Sequence, residues 1–246
     1  MTEPGRQPAG DAVRQSGEGY VLHSYPYKET SLLVEVFTRI QGRVVLVAKS
    51  ARRPRSAMRG TLMAFQPLSL GWMGRGEVKT LTRAEWLGGV SLLRGEALLC
   101  GFYLNELLMR MLAREDAHEF LYERYADAMG KLAAGAPPAP VLRRFEKDLL
   151  RELGYALVLD RDAQTGEQID PERYYTYDPE KGPLLADGRD SDRAFSGRTL
   201  LMLARDELDD ARILHEARGL MRTLISHRLE SKTLNTRKVF RELLEL

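Results

Sequence analysis

Arg39, Arg43, Lys49, Arg52, Arg53, Arg55, Arg59 and Arg75 stand in a stretch, residues 36–76, that holds no aspartate or glutamate. A field of one sign attracts a polyanion, and nucleic acid is the commonest one. The densest part is Lys49 to Arg59, KSARRPRSAMR. Guanidinium groups there can pair with phosphates and release counterions, giving binding that is salt-sensitive and tolerant of sequence. Pro54 stiffens this segment, and Ser56 offers a further hydrogen bond to phosphate. A solvated basic face with no partner is the competing account, and the complete exclusion of acids weighs against it. The formal net charge of +2 conceals the asymmetry. Residues 1–93 carry 13 Lys and Arg against 7 Asp and Glu, a net of +6, whereas the remainder carries 24 against 28, a net of −4.

Enzymatic chemistry finds little support. The four histidines, His23, His118, His215 and His227, lie far apart with no metal-ligand spacing. The single cysteine, Cys100, cannot form an internal disulfide or a cysteine-cluster zinc site, and it points to a reducing cytoplasm. It sits on an apolar helical face, where a buried thiol is expected instead of a nucleophile. Gly71-Trp72-Met73-Gly74-Arg75-Gly76 lacks the Lys-Ser/Thr of a phosphate loop and lies between strand-like runs, so a turn is expected. The carboxylates fall mostly on helix surfaces, where solvated ion pairing is ordinary. No catalytic residue, metal site or cofactor is therefore expected. No apolar run approaches the roughly 20 residues of a membrane helix, and the first residues lack a secretory apolar core.

Two kinds of element must position the basic segment. From Tyr20 to Trp86 the pattern is short, β-rich and broken by turns. Thr30 to Thr38 alternates Leu32, Val34 and Val36 with Leu33, Glu35 and Phe37, a period of two. Val44 to Val47 follows after a Gln41-Gly42 turn, then a strand from Thr61 to Trp72 broken at Pro67, then Val78 to Leu81. About five short strands suit a small closed barrel, of OB or SH3-like type. Its aromatic residues Tyr25, Tyr27, Phe37, Phe65 and Trp72 are candidates to stack on bases. Core packing is the favoured reading for Phe37 and Phe65, and Tyr27 and Trp72, next to turns, are the better stacking candidates. After Leu93 the spacing becomes helical, with helices expected over 95–116, 117–132, 141–153, 197–203, 209–229 and 236–244. The chain thus divides into a disordered extension (1–18), a barrel (19–90) and a mainly helical domain (91–246). The last contains a turn-rich, cysteine-free insertion at 159–195, with Tyr174 to Tyr177 as a short strand.

The run VLHSYPYKETSLLVEVFTRIQGRVVLVAKSARRPRS resembles the N-terminal signature of the RecO family. GRGEVKTL, GFYLNELLMRML, LRRFEKDLLRELGY and SKTLNTRKVF continue the likeness in order and spacing over most of residues 20–241. The resemblance implies an α+β chain: an OB-fold β-barrel followed by a mainly α-helical C-terminal domain. It implies binding to single- and double-stranded DNA, strand annealing, and help in loading RecA onto strands coated by single-strand-binding protein. Implied partners are RecR and the acidic C-terminal tail of the single-strand-binding protein. By position, Arg143 corresponds to an arginine of the family's tail pocket, with apolar Leu142 and Phe145 beside it. Many members hold zinc with four cysteines in the segment that here, from Leu159 to Leu185, contains no cysteine or histidine. That site cannot bind metal in this chain, so packing, Tyr and Pro residues are left to hold the segment. Two rivals remain: a generic oligonucleotide- or RNA-binding accessory factor on the same barrel, and an enzyme acting on nucleic acid. The first has no need of a long helical domain; the second needs clustered acids or histidines that are not found.

Overall fold

The computed structural model describes residues 14–155, 157–186, 194–229 and 234–236. Strands β1 (Arg14–Tyr27), β2 (Ser31–Thr38), β3 (Gly42–Ala48), β4 (Pro67–Met73) and β5 (Val78–Trp86) close into a barrel in the order β1-β2-β3-β5-β4. A helical turn, α1 (Met58–Thr61), interrupts the connection from β3 to β4. The alternation in β2 decides its inner face. Val34 and Val36 point inward and meet Val44, Leu46, Leu68, Leu70, Trp72 and Leu81 in one buried core. Closure comes from the parallel pairing of β3 with β5, Val45 to Val47 against Val78 to Thr80. All the other barrel pairings are antiparallel, so β1, β3 and β5 run one way and β2 and β4 the other. The β1–β2 turn and the β3–β4 connection therefore share one end of this OB-type barrel, called here the upper end. The β2–β3 and β4–β5 turns share the lower end.

Two sequence expectations are corrected. Arg14 to Glu18 belong to β1 and pair with Ser69 to Met73 of β4, and are not part of a loose extension. The Gly, Pro, Gln and Arg content of residues 1–19 misled. A Cβ on Gly19 would lie 2.9 Å from Val36 Cγ1 and 3.0 Å from the Phe37 carbonyl oxygen, so this close strand approach requires glycine. The strand expected from Thr61 begins only at Pro67, after α1 and a loop. Pro67 stands at the strand start, where its missing amide disturbs no inner ladder. Residues 1–13 of the expected extension, and all of the expected final helix beyond Thr236, lie outside the described residues.

The chain forms two compact units. One comprises the described residues up to Gly89 together with Arg114–Ala117; the other comprises the remaining described residues. The short Arg114–Ala117 segment is a strap on the barrel wall. The Glu115 amide donates to the Arg43 carbonyl at 2.9 Å. A Cβ at Gly42, where φ is +62°, would meet the Asp116 carbonyl oxygen at 1.6 Å, so only glycine admits the strap.

The second unit holds α2 (Gly95–Met111), α3 (Glu119–Ala133), α4 (Pro138–Glu152), α5 (Gly197–Arg205) and α6 (Ala211–Arg228). Their apolar stripes, such as Leu104, Leu107 and Leu108 of α2, are buried. Burial also pushes the Cys100 thiol up to about 11, leaving it no thiolate character at neutral pH. Within the turn-rich segment, β6 (Tyr174–Asp178) lies between β7 (Gly182–Leu185) and β8 (Phe195–Ser196). Carboxylates caught in turns organise it, in addition to the tyrosines and prolines expected to do so. Asp162 accepts from the amides of Gln164, Thr165 and Leu185 at 2.8–2.9 Å. The Thr165 amide bond, with the others, outweighs burial and holds the Asp162 carboxyl below its usual range. Among the described residues no three His, Cys, Asp or Glu side chains gather as a metal set. No described helix is long and apolar enough to cross a membrane.

Candidate nucleic-acid interface

Strand direction sorts the eight cations into two groups. Lys49, Arg52, Arg53, Arg55 and Arg59 lie in the β3–β4 connection at the upper end. Arg39 in the β2–β3 turn, Arg43 at the start of β3 and Arg75 in the β4–β5 turn lie at the lower end. The two groups leave the barrel at opposite ends, because successive antiparallel strands send alternate connections to opposite ends.

The upper connection is folded, not a free arm. Successive turns run through it, with the Arg53 amide on the Ser50 carbonyl, Ser56 on Arg53 and Arg59 on Ser56, at 3.0–3.2 Å. Ala51 and Leu62 sink into the barrel core with Met58 packed beside them, and so fix the loop at both ends. Arg52 ties it to the neighbouring turn. Its amide donates to the Thr30 carbonyl at 2.8 Å, and its guanidinium to the Lys28 and Glu29 carbonyls at 3.5 and 3.3 Å. Arg52 thus positions two loops. Lys49, Arg53, Arg55 and Arg59 are exposed and have no carboxylate partner among the described residues. These four are the cations of the loop left open to solvent.

At the lower end the arginines are committed. Arg39 pairs with Glu18 at 3.6 Å. Arg43, its side chain only 11% exposed, faces Glu35 at 3.4 Å, and Arg114 of the strap donates to the same carboxylate at 2.6 Å. Burial lowers the Arg43 pKa, opposed by the Glu35 carboxylate. Arg43, expected to contact DNA, is mostly buried in the wall and engaged by Glu35. Arg75 is exposed but remote from the upper loop.

The aromatic residues also divide. Phe37, Phe65 and Trp72 are buried. Trp72 is 1% exposed, with its indole N–H on Gln15 Oε1 at 2.7 Å, so its assignment as a stacking residue is withdrawn. Tyr25 and Tyr27 remain exposed at the upper end of β1. Lys28, which sequence reasoning passed over, stands beside them with its ammonium 5.4 Å from the Tyr27 ring centroid. Its place directly after Tyr25-Pro26-Tyr27 was the sequence signal for it.

In the helical unit Arg143 is inside. It is 6% exposed and donates from Nε and Nη2 to Glu146 at 2.7 and 2.6 Å, while Tyr103 donates to the same carboxylate at 2.6 Å. Burial lowers the Arg143 pKa, but the Glu146 carboxylate more than restores it. Phe145 is buried and Leu142 half-buried. Arg143, which the resemblance puts in the tail pocket, is instead buried within α4 and engaged by Glu146 of the same helix. A small cleft between α3 and α4 is lined by Arg124, Lys131 and Arg144, by Asp127, Asp148 and Asp206, and by apolar Val141 and Phe145.

Comparison with known proteins agrees with this architecture. Family models described as Recombination protein O N terminal and Recombination protein O C terminal match residues 14–90 and 92–238. The chain is 54% identical to the DNA repair protein RecO of Aromatoleum aromaticum, over 92% of this chain and 95% of that one. It is 54% identical to that of Dechloromonas aromatica, over 94% and 97%. It is 49% identical to that of Thiobacillus denitrificans, over 97% and 96%. With both halves matched in order and the likeness running nearly end to end, the chain belongs to the RecO family of DNA repair proteins.

Proposed function

We infer that this chain is a non-enzymatic recombination mediator acting in the cytoplasm. It holds single- and double-stranded DNA at the upper end of the barrel and anneals complementary strands. Together with RecR it assists RecA loading on strands coated by single-strand-binding protein. The observation that carries this reading is the set Lys49, Arg53, Arg55 and Arg59: exposed, on one anchored loop, and without carboxylate partners among the described residues. Such a surface grips phosphates and leaves base edges unread, which suits a protein that handles any sequence. The tail of the single-strand-binding protein fits the cleft beside Phe145, where Arg124 and Arg144 offer cations next to apolar side chains. Arg143 supports that cleft from within by locking to Glu146.

Four phosphate contacts give a log affinity that falls against log salt with a slope of about −3 on a single strand. Replacing Arg53, Arg55 and Arg59 together by Glu brings the slope toward −1. It also abolishes annealing of complementary strands precoated with single-strand-binding protein, while unfolding free energy changes by less than about 0.5 kcal/mol. An unchanged slope removes the loop from the interface. Annealing of bare strands alone, with coated strands refused, favours a generic oligonucleotide-binding factor instead.

A further inference from the structure

The β1–β2 hairpin carries a feature that phosphate binding does not use. His23, Tyr25 and Tyr27 alternate along the end of β1, so they share its outer face. Buried residues of this barrel point inward or lie under neighbouring structure, but these three are exposed. Tyr25 is 44% and Tyr27 38% exposed. The His23 and Tyr25 rings lie 4.3 Å apart, and Lys28 closes the row over Tyr27 at 5.4 Å. An exposed row of rings is costly to keep in water unless something covers it, because aromatic side chains are large apolar surfaces. Arg52 fixes the row beside the basic loop through the Lys28, Glu29 and Thr30 carbonyls.

We propose that Tyr25 and Tyr27, flanked by His23 and Lys28, form a stacking platform for the unpaired bases of single-stranded DNA whose phosphates run along Lys49, Arg53, Arg55 and Arg59. The charge argument selects this occupant. A ligand covering the rings lies beside Lys28 and the loop cations, with Glu29 as the one acid of the turn, and must bring negative charge together with flat π-faces. A duplex satisfies the cations but keeps its bases stacked on each other and offers the tyrosines nothing. The platform therefore distinguishes the two forms of DNA, while the loop does not. This inference rests on the loop's binding of DNA.

The test measures binding of labelled oligothymidylate, an abasic strand of equal length and a duplex to the full chain and its variants. Tyr25→Ala with Tyr27→Ala should weaken oligothymidylate binding by about five- to a hundredfold for each base unstacked. Abasic-strand and duplex affinities and the salt slope should stay within twofold of the parent. Tyr25→Phe with Tyr27→Phe should bind all three like the parent, since stacking needs the ring and not the hydroxyl. Equal loss on all three ligands, or no loss on oligothymidylate, overturns the platform. The Arg53, Arg55 and Arg59 charge-reversal variant separates the two ideas: if it binds every ligand normally, the loop reading falls first. If it loses every ligand while the tyrosine variant loses none, only the platform falls.

Discussion

At the upper end of the barrel Lys49, Arg53, Arg55 and Arg59 face solvent, whereas Arg39, Arg43 and Lys79 toward the lower end each meet a carboxylate. All but Lys79 come from the same acid-free stretch of sequence. What separates them is reach. Glu18 comes from the start of β1, Glu35 from the outer face of β2, and Glu115 from the strap, none of them within residues 36–76. Local charge counting sees the cations but not the distant acids that fold onto them. The lower end uses its charges to hold the wall, and the upper end leaves its charges exposed to solvent.

The most damaging way to challenge that division is Glu35→Ala. Glu35 is buried, with Arg43 and Arg114 on its two oxygens. Removing it leaves Arg43 in the wall without its counter-charge and releases the strap. Breaking a buried pair in this way costs about 3–5 kcal/mol. Urea unfolding should show that loss, while the salt slope of DNA binding by the folded variant stays as in the parent. A stability change under about 0.5 kcal/mol means that the lower-end network is ornamental, and the contrast between the two ends dissolves.

An intermediate effect is expected for Glu115→Ala. Lys79 is buried and bonded to Glu115, but Glu115 itself is about half exposed and Lys79 keeps the Gly76 carbonyl at 3.4 Å. Water and that carbonyl take up part of the lost interaction, so a destabilisation of about 1–2 kcal/mol is expected. Denaturation midpoints of the Glu35 and Glu115 variants, measured side by side, check the ranking. A reversed order shows that burial of the carboxylate is not what sets the cost.

Much of this was legible in the sequence, and the failures have a common physical form. The period of two from Leu32 to Phe37 identified the strand but not its inner face, since Val34 and Val36 join the barrel core while Glu35 and Phe37 of the other face are buried too. The amphipathic stripes located the helices of the second unit within a few residues of α2 to α6. The loop from Lys49 to Arg59 was readable because it lies between two such strands. Trp72 was not readable: its neighbours Gly71 and Gly74 look like a turn, but pairing with β1 carries it into the core. Arg143 misled for a similar reason. One position in a helix can face water or a buried Glu146 three residues on, and only packing decides which. Asp162 left no sequence signature either, since two of its amide partners are local but Leu185 lies on β7.

The smallest effect, and the sharpest check on the division, is expected from Arg39→Ala. Its partner Glu18 is half exposed, and the 3.6 Å separation is that of an open ion pair. Exposed pairs of this kind contribute 0 to about 1 kcal/mol, because water screens them and two side chains must be held still. Stability should therefore fall by less than about 1 kcal/mol, below the cost at Glu115. DNA affinity should stay within twofold at every salt concentration, since Arg39 lies across the barrel from the loop. Of Arg39, Arg43 and Lys79, Arg39 has the most exposed side chain and is the one within reach of a phosphate. If its loss flattens the salt slope by a full phosphate contact, the DNA path runs along the barrel from one end to the other. The cations of residues 36–76 would then act as one surface after all, with Glu18 displaced by the ligand.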